Sequence, residues 1–248
     1  MTWLTQANHP LNIAIFGANG GIAQALTKQL LTLNCENIFC ISRKDIQDSD
    51  LSDNRIINST LSTFNDAQLT SWALEHQHIK LDLVIVCTGL LHNTTISPEK
   101  RLQDFDPDAF ETVFKTNTLI PTLIAKHTIP LMHSRSESAF CALGARVGSI
   151  SDNHLGGWYS YRASKAALAM MIKTLSIETR RTNPHLRVCA LHPGTVDTGL
   201  SEPFQRNVKK NALFSPQTSA NALIKVIDSL SPEHSGLHLD WNNKVIPA

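Results

Sequence analysis

The chain has 248 residues, 42% of them hydrophobic and 17% charged, enough to bury roughly 70–75% of the unfolded surface on folding. That excludes a disordered tail and a disulfide-stapled mini-protein. Lys+Arg 22 against Asp+Glu 21 leaves a net charge of +1, and the basic residues are scattered in pairs such as Lys100-Arg101 and Arg180-Arg181, which is no electrostatic footprint for nucleic acid or an anionic membrane.

Residues 1–10 carry no basic or apolar leader pattern, so no secretion signal is expected. The longest apolar stretch, 81–91, is interrupted by Asp82 and is too short to span a bilayer, which takes ~20 residues. Five cysteines is an odd number. Cys40, Cys87, Cys141 and Cys189 lie inside or at the end of apolar runs, as reduced core thiols of a cytoplasmic protein do.

Taken in chain order, strands are predicted at 11–16, 37–42, 55–59, 83–87, 139–143, 187–192 and 237–240, with helices at 22–33, 66–78, 109–132, 160–182 and 219–230. Most strands are apolar at consecutive positions, which suits a sheet covered by helices on both faces. Alternating strand and helix then gives an α/β fold: a Rossmann-type, doubly wound, mainly parallel seven-stranded sheet. Pro121 is expected to bend or break the 109–132 helix. With no repeat or linker, one domain over 1–248 is expected.

Two stretches, 88–107 and 193–216, are too long for simple connections. Both follow strand carboxyl ends, where open α/β sheets handle ligands. The second, with Phe204, Arg206, Lys209 and Lys210, is a candidate lid over a substrate.

Three local patterns carry chemistry. Strand one runs into Gly17-Ala18-Asn19-Gly20-Gly21-Ile22-Ala23 and then a helix; small residues let the backbone approach a pyrophosphate, and free N–H groups at the helix start attract its charge. Tyr161-x-x-x-Lys165 places a phenol and an ammonium on one helix face. A cation beside the phenol should lower its pKa from about 10 and make it a usable acid or base. Strand two ends in Ser42-Arg43-Lys44; Arg43 suits the 2′-phosphate of NADP, where an acidic residue would select NAD.

Together these residues resemble the short-chain dehydrogenase/reductase family over nearly the whole chain. Phe16-Gly17-Ala18-Asn19-Gly20-Gly21-Ile22-Ala23 is similar to its Thr-Gly-x-x-x-Gly-x-Gly turn, with Phe16 and Ala23 as departures. Val86-Cys87-Thr88-Gly89 keeps only the glycine of Asn-Asn-Ala-Gly. Asn117 matches the family's helix asparagine, Tyr161 and Lys165 its catalytic pair, and Pro193-Gly194-Thr195-Val196-Asp197-Thr198 its nicotinamide-contacting motif. The 146–161 segment resembles the carbonyl-reductase branch that includes C-factor-type signalling proteins.

The resemblance implies NADP-dependent hydride transfer to a carbonyl or from an alcohol of a small-molecule substrate, in a homodimer or homotetramer. Tyr161, Lys165 and Asn117 would be catalytic; Gly17, Asn19, Gly21, Ile22, Arg43, Thr88, Gly89, Tyr161, Lys165, Pro193, Gly194, Val196 and Thr198 would hold the cofactor. One departure stands out. The usual catalytic serine, three residues before the loop glycine Gly148, is Ala145. Ser149 is the substitute, with Ser151 as rival. An alternative reading is a catalytically weak NADP(H)-binding or signalling module. Thr60-Leu61 replaces a common adenine-contacting aspartate. No metal set is expected: Cys35 and Cys40 have no second pair, and the histidines, including His76/His78 and His234/His238, read as surface or helix-terminal.

Overall fold

The computed structural model describes residues 2–46, 52–207 and 212–248, with the side chain of Asn207 left aside. Seven parallel strands form the central sheet: β1 (Leu11–Phe16), β2 (Cys35–Ser42), β3 (Ile56–Thr60), β4 (Leu83–Val86), β5 (Ser138–Leu143), β6 (Leu186–His192) and β9 (His238–Asp240), in the order β3-β2-β1-β4-β5-β6-β9. Beginning next to the middle strand, the chain winds first to one edge and then to the other. The resulting switch point lies between β1 and β4, and the loops after both strands meet there.

Consecutive apolar residues along the inner strands feed two separate cores. Ile13 and Ile15 pack with Leu26 and Leu30 of α1 (Gly21–Leu30) and Leu223 and Ile227 of α6 (Pro216–Asp228). Their neighbours Ala14 and Phe16 face the other way, onto Trp72 of α2 (Asp66–Glu75), Ile124 of α4 (Ile120–Thr128), and Leu168 and Ile172 of α5 (Tyr159–Thr182). This is the period-2 alternation of a strand buried on both sides.

The 109–132 segment departs from expectation. It begins two residues earlier, as α3 (Pro107–Phe114), with the Asp106 carboxylate accepting the Ala109 amide as N-cap. It then passes through one π-helical stretch, Lys115–Leu119, and continues without a break as α4. Pro121 falls in the first turn after the π stretch. The wider turn lets the chain pass proline without the clash expected of a regular helix, and Ile120 N donates to Lys115 O. Asn117 lies four residues before Pro121, so its carbonyl cannot receive the usual helical bond from a residue that has no N–H.

Among its described residues, the 193–216 stretch forms β7 (Thr195–Val196) and β8 (Leu213–Phe214), a parallel pair, and a short 3-10 turn over Glu202–Asn207. Lys209 and Lys210 of the expected lid lie outside the described residues. No helix among the described residues is long and apolar enough to cross a membrane.

Candidate active site

At the carboxyl ends of β1 and β4 lies a cleft of about 370 Å³ lined by, among others, Asn19, Gly21, Ile22, Thr88, Tyr161 and Lys165. Gly89, Pro193 and Thr198 complete the set of expected residues on its wall. Gly17 forms the turn beneath, at φ +83°, a conformation that an L side chain rarely adopts, and a Cβ there would sit 3.0 Å from Thr88 N. The Asn19 amide donates to Lys44 O at 2.8 Å and to Ser42 Oγ at 3.2 Å, pinning the turn to the end of β2. Helix α1 then starts at Gly20 with no side chain capping its first amides. Those amides, together with a buried Thr88 hydroxyl that has no partner, leave hydrogen-bonding capacity that a dinucleotide phosphate fits.

Arg43, at the end of β2, is exposed and makes no hydrogen bond or ion pair among the described residues. Thr60 does have a use: its hydroxyl donates to Asp45 at 2.8 Å. Gly194 and Val196 lie behind the cleft wall, Gly194 against Phe214 and Val196 buried in β7.

On α5, Tyr161 and Lys165 are 8% and 3% exposed. Lys165 Nζ donates to Leu143 O at 2.8 Å and lies 5.8 Å from the centre of the tyrosine ring. Burial pulls the ammonium down to about 8 and pushes the phenol up to about 12. The expectation that Lys165 lowers the phenol is therefore not met by protein groups alone: desolvation outweighs a cation that points its proton at a carbonyl. Gly148 explains how the β5–α5 loop can lie flat on this helix, since a Cβ there would meet Lys165 C at 2.8 Å.

Asn117 is fully buried, and its side chain is consumed by the protein. Oδ1 accepts from Leu90 N at 2.8 Å, and Nδ2 donates to Leu90 O at 2.9 Å and Ser164 Oγ at 3.0 Å. Ser164 in turn donates to Tyr161 O at 2.8 Å. Asn117 thus ties the β4 loop to the turn of α5 that carries the tyrosine.

Ala145 packs in a small cluster with Leu91 and Tyr161, flanked by Val147, Trp158 and Phe204. Trp158 meets Tyr161 edge-on at 6.1 Å and Phe204 at 5.1 Å, so Phe204 does close over this end, while Arg206 is exposed. Ser149 is buried, outside the cleft lining, and its oxygen accepts the Asp152 amide at 3.2 Å. The Ser151 hydroxyl donates instead to the carbonyl of Ala248.

Several residues escape sequence reasoning. Glu99, from the 88–107 stretch, is buried and accepts from Ser160 N and Ser160 Oγ, capping α5 where the Trp158 side chain makes no cap. An acid at a helix start complements the dipole. His238 is not superficial: it lies in β9, a Cβ on Gly144 would be 2.6 Å from its Nε2, and burial holds it down to about 3. His192 is likewise held down to about 4 by burial. All five thiols are free; Cys87 lines the cleft, and burial raises it to about 12.

The chain belongs to the short chain dehydrogenase family, whose sequence model matches residues 12–209. Among relatives, C-signal of Myxococcus xanthus is 31% identical over 167 residues, 65% of this chain and 95% of that protein. The fold matches the carbonyl reductase Sniffer of D. melanogaster, with TM-score 0.84 and 22% identity, over 97% of this chain and 100% of the other. It also matches NADPH-bound carbonyl reductase from chicken fatty liver, with TM-score 0.82 and 23% identity, over 100% of this chain and 99% of the other.

Proposed function

We propose that the protein reduces a carbonyl, or oxidises the corresponding alcohol, using NADP(H). The observation that carries this reading is the meeting, in one cleft, of an uncapped glycine turn with a buried tyrosine and lysine one helical turn apart. The NADPH-bound chicken enzyme with the same fold supports the choice of cofactor.

When bound, the nicotinamide supplies or accepts the hydride. The backbone amides of Asn19, Gly21 and Ile22 would hold the pyrophosphate end over the turn that Gly17 makes, the Gly17 amide itself being given to Ile41 O at 2.8 Å, and Thr88, Gly89, Pro193, Gly194, Val196 and Thr198 would frame the rest of the cofactor. Arg43 has no hydrogen-bond or ion-pair partner among the described residues and would pair with the 2′-phosphate, which would favour NADP over NAD. Tyr161 Oη would hold the proton that the substrate oxygen takes on reduction. A phenol pushed up to about 12 stays protonated across neutral pH, the form reduction needs. Lys165 presents an ammonium to the ribose, and Asn117 positions the tyrosine turn. Ser149 is the second donor once the 144–158 loop shifts: here it is buried outside the cleft lining with its oxygen taking the Asp152 amide, and a small movement of the loop would bring its hydroxyl over the reacting carbon.

A second reading has one specific observation behind it. Ala145 gives Tyr161 an apolar neighbour where the family places a serine, as in a binding module with little turnover. NADPH titration by fluorescence, in parallel with NADPH oxidation over a panel of aldehydes, ketones and quinones, tests both. Turnover supports the reductase, binding without turnover supports the module, and absence of binding defeats both.

The outer face of α4 and α5 carries an apolar groove of about 390 Å³ lined by Pro121, Ala125, Met171 and Leu175. Exposed Met170 and Ile177 lie on α5 as well. We assign that face to a second copy of the chain, which light scattering would show as a dimer or tetramer.

A further inference from the structure

The opposite end of the sheet, at the amino ends of its central strands, holds a second constellation. His9 precedes β1, Asp82 precedes β4, and His133 lies on the approach to β5. His9 Nε2 is 2.8 Å and His133 Nε2 3.5 Å from the same oxygen, Asp82 Oδ1. All three donor atoms lie within 4.8 Å of one another. Sequence reading finds no such set because the residues come from three separate segments.

The positions are held by the backbone. Asn12 N donates to Asp82 Oδ2 at 2.8 Å, Asp82 N to Asn12 O at 2.9 Å, and Ala139 N to Asp82 O at 2.9 Å. His133 N donates to Leu81 O at 3.0 Å, and its carbonyl accepts from Asn183 Nδ2 at 2.7 Å. The Asp82 side chain is 1% exposed, so Oδ1 is a buried carboxylate oxygen addressed by two imidazoles. His9 reaches it by a hydrogen bond. His133, at 3.5 Å, is beyond normal hydrogen-bond length, so the carboxylate and the second ring face each other without one.

We propose that His9, Asp82 and His133 bind one zinc-class divalent ion. Two imidazole nitrogens and one carboxylate oxygen are the borderline donors such ions prefer, whereas Mg²⁺ and Ca²⁺ favour all-oxygen sets. Bonds of about 2.0–2.1 Å in a tetrahedron require donors roughly 3.3 Å apart; the observed 2.8 and 3.5 Å bracket that value. The His9 and His133 donor atoms lie within 4.8 Å of each other, and the His9 side chain, 39% exposed, has solvent beside it into which to adjust. His9 and Asp82 also line a cleft of about 480 Å³ with Ser136, Glu137 and Arg187, from which a fourth ligand would come. Ser136 Oγ is buried there without a partner. Arg187 donates to Glu137, so its charge is largely matched and does not repel the ion.

The ion would fasten the segment before β1 to β4 and the approach to β5. Chelator-stripped, tag-free protein is titrated calorimetrically with ZnCl₂, MgCl₂ and CaCl₂, and its melting is followed in parallel. One Zn²⁺ per chain is expected, with Tm raised by about 5–10 °C at free zinc a hundredfold above Kd, and no response to Mg²⁺ or Ca²⁺. His9→Gln and His133→Gln should each weaken zinc at least ~100-fold and leave NADPH binding intact. Asp82→Asn tests the third ligand, although it also loosens Asn12, so the histidine variants decide the outcome. Wild-type protein that takes up no zinc at 100-fold molar excess, or zinc binding unchanged in both histidine variants, would overturn the site.

Discussion

The two halves of the cleft are built by different means. The nucleotide half is backbone and small residues: Gly17 at φ +83°, uncapped amides at the start of α1 from Gly21 on, and an Asn19 clamp to Lys44 O. Such a surface binds any dinucleotide phosphate and tolerates few substitutions. The reaction half is side chains on loops: Ala145 against Tyr161, Trp158 against Phe204, and Glu99 reaching in to cap α5. It can change its substrate by changing any of them. The proposed nucleotide binding therefore rests on backbone geometry, whereas the proposed substrate choice rests on this chain's side chains.

That contrast can be broken from the nucleotide side most severely at Gly17. Gly17→Val forces a branched side chain into a left-handed conformation and against Thr88 N, so NADPH binding should weaken by more than ~100-fold, with a lower Tm by calorimetry. On the reaction side, Ser149→Ala removes the proposed second donor. Turnover should fall ~10²-fold, near the low end for an oxyanion donor, with NADPH affinity unchanged in a fluorescence titration; full activity would return the serine to its turn with Asp152. Ala145→Ser should raise turnover in the same assay. Arg43→Ala sharpens the comparison within the nucleotide half. NADPH should weaken ~10–100-fold, the value of a charged hydrogen bond, and NADH hardly at all; equal losses would mean that Arg43 does not read the phosphate.

The smallest effect is a pH dependence. Burial holds Lys165 down to about 8, so its ammonium is intact at pH 7 and lost as pH rises through that value. If the charge holds the ribose, NADPH affinity should fall by up to ~10-fold per pH unit above 8, and Lys165→Met should flatten the profile. Tyr161, raised to about 12, contributes no inflection in the same range.

What the sequence shows of this molecule is what is dictated locally. The inner strands of the main sheet are visible because burial on both faces demands uninterrupted apolar runs such as Leu83–Val86. The Gly17 turn and the Tyr161/Lys165 pair are visible because their chemistry needs particular residues at fixed spacing. Strand β2 begins two residues before the predicted 37, because Leu11 pairs with Cys35 across a register shift that no periodicity encodes. Pro121 misleads because the preceding π turn, which accommodates it, is a tertiary choice made where Asn117 bridges Leu90 and Ser164. Glu99, His238 and the His9–Asp82–His133 group are invisible for one reason: each acquires its role from a partner distant in sequence.

The central claim, that Tyr161 is the acid of an NADP(H)-dependent reduction, is tested most directly by Tyr161→Phe. The exchange keeps the ring that packs on Trp158 and Ala145 and removes only the hydroxyl. With the carbonyl substrate that wild-type protein reduces fastest, steady-state NADPH oxidation should fall by ~10²–10⁴-fold while the NADPH dissociation constant stays within about twofold, a change of under ~0.5 kcal/mol. Turnover equal to wild type in the phenylalanine variant would contradict the assignment.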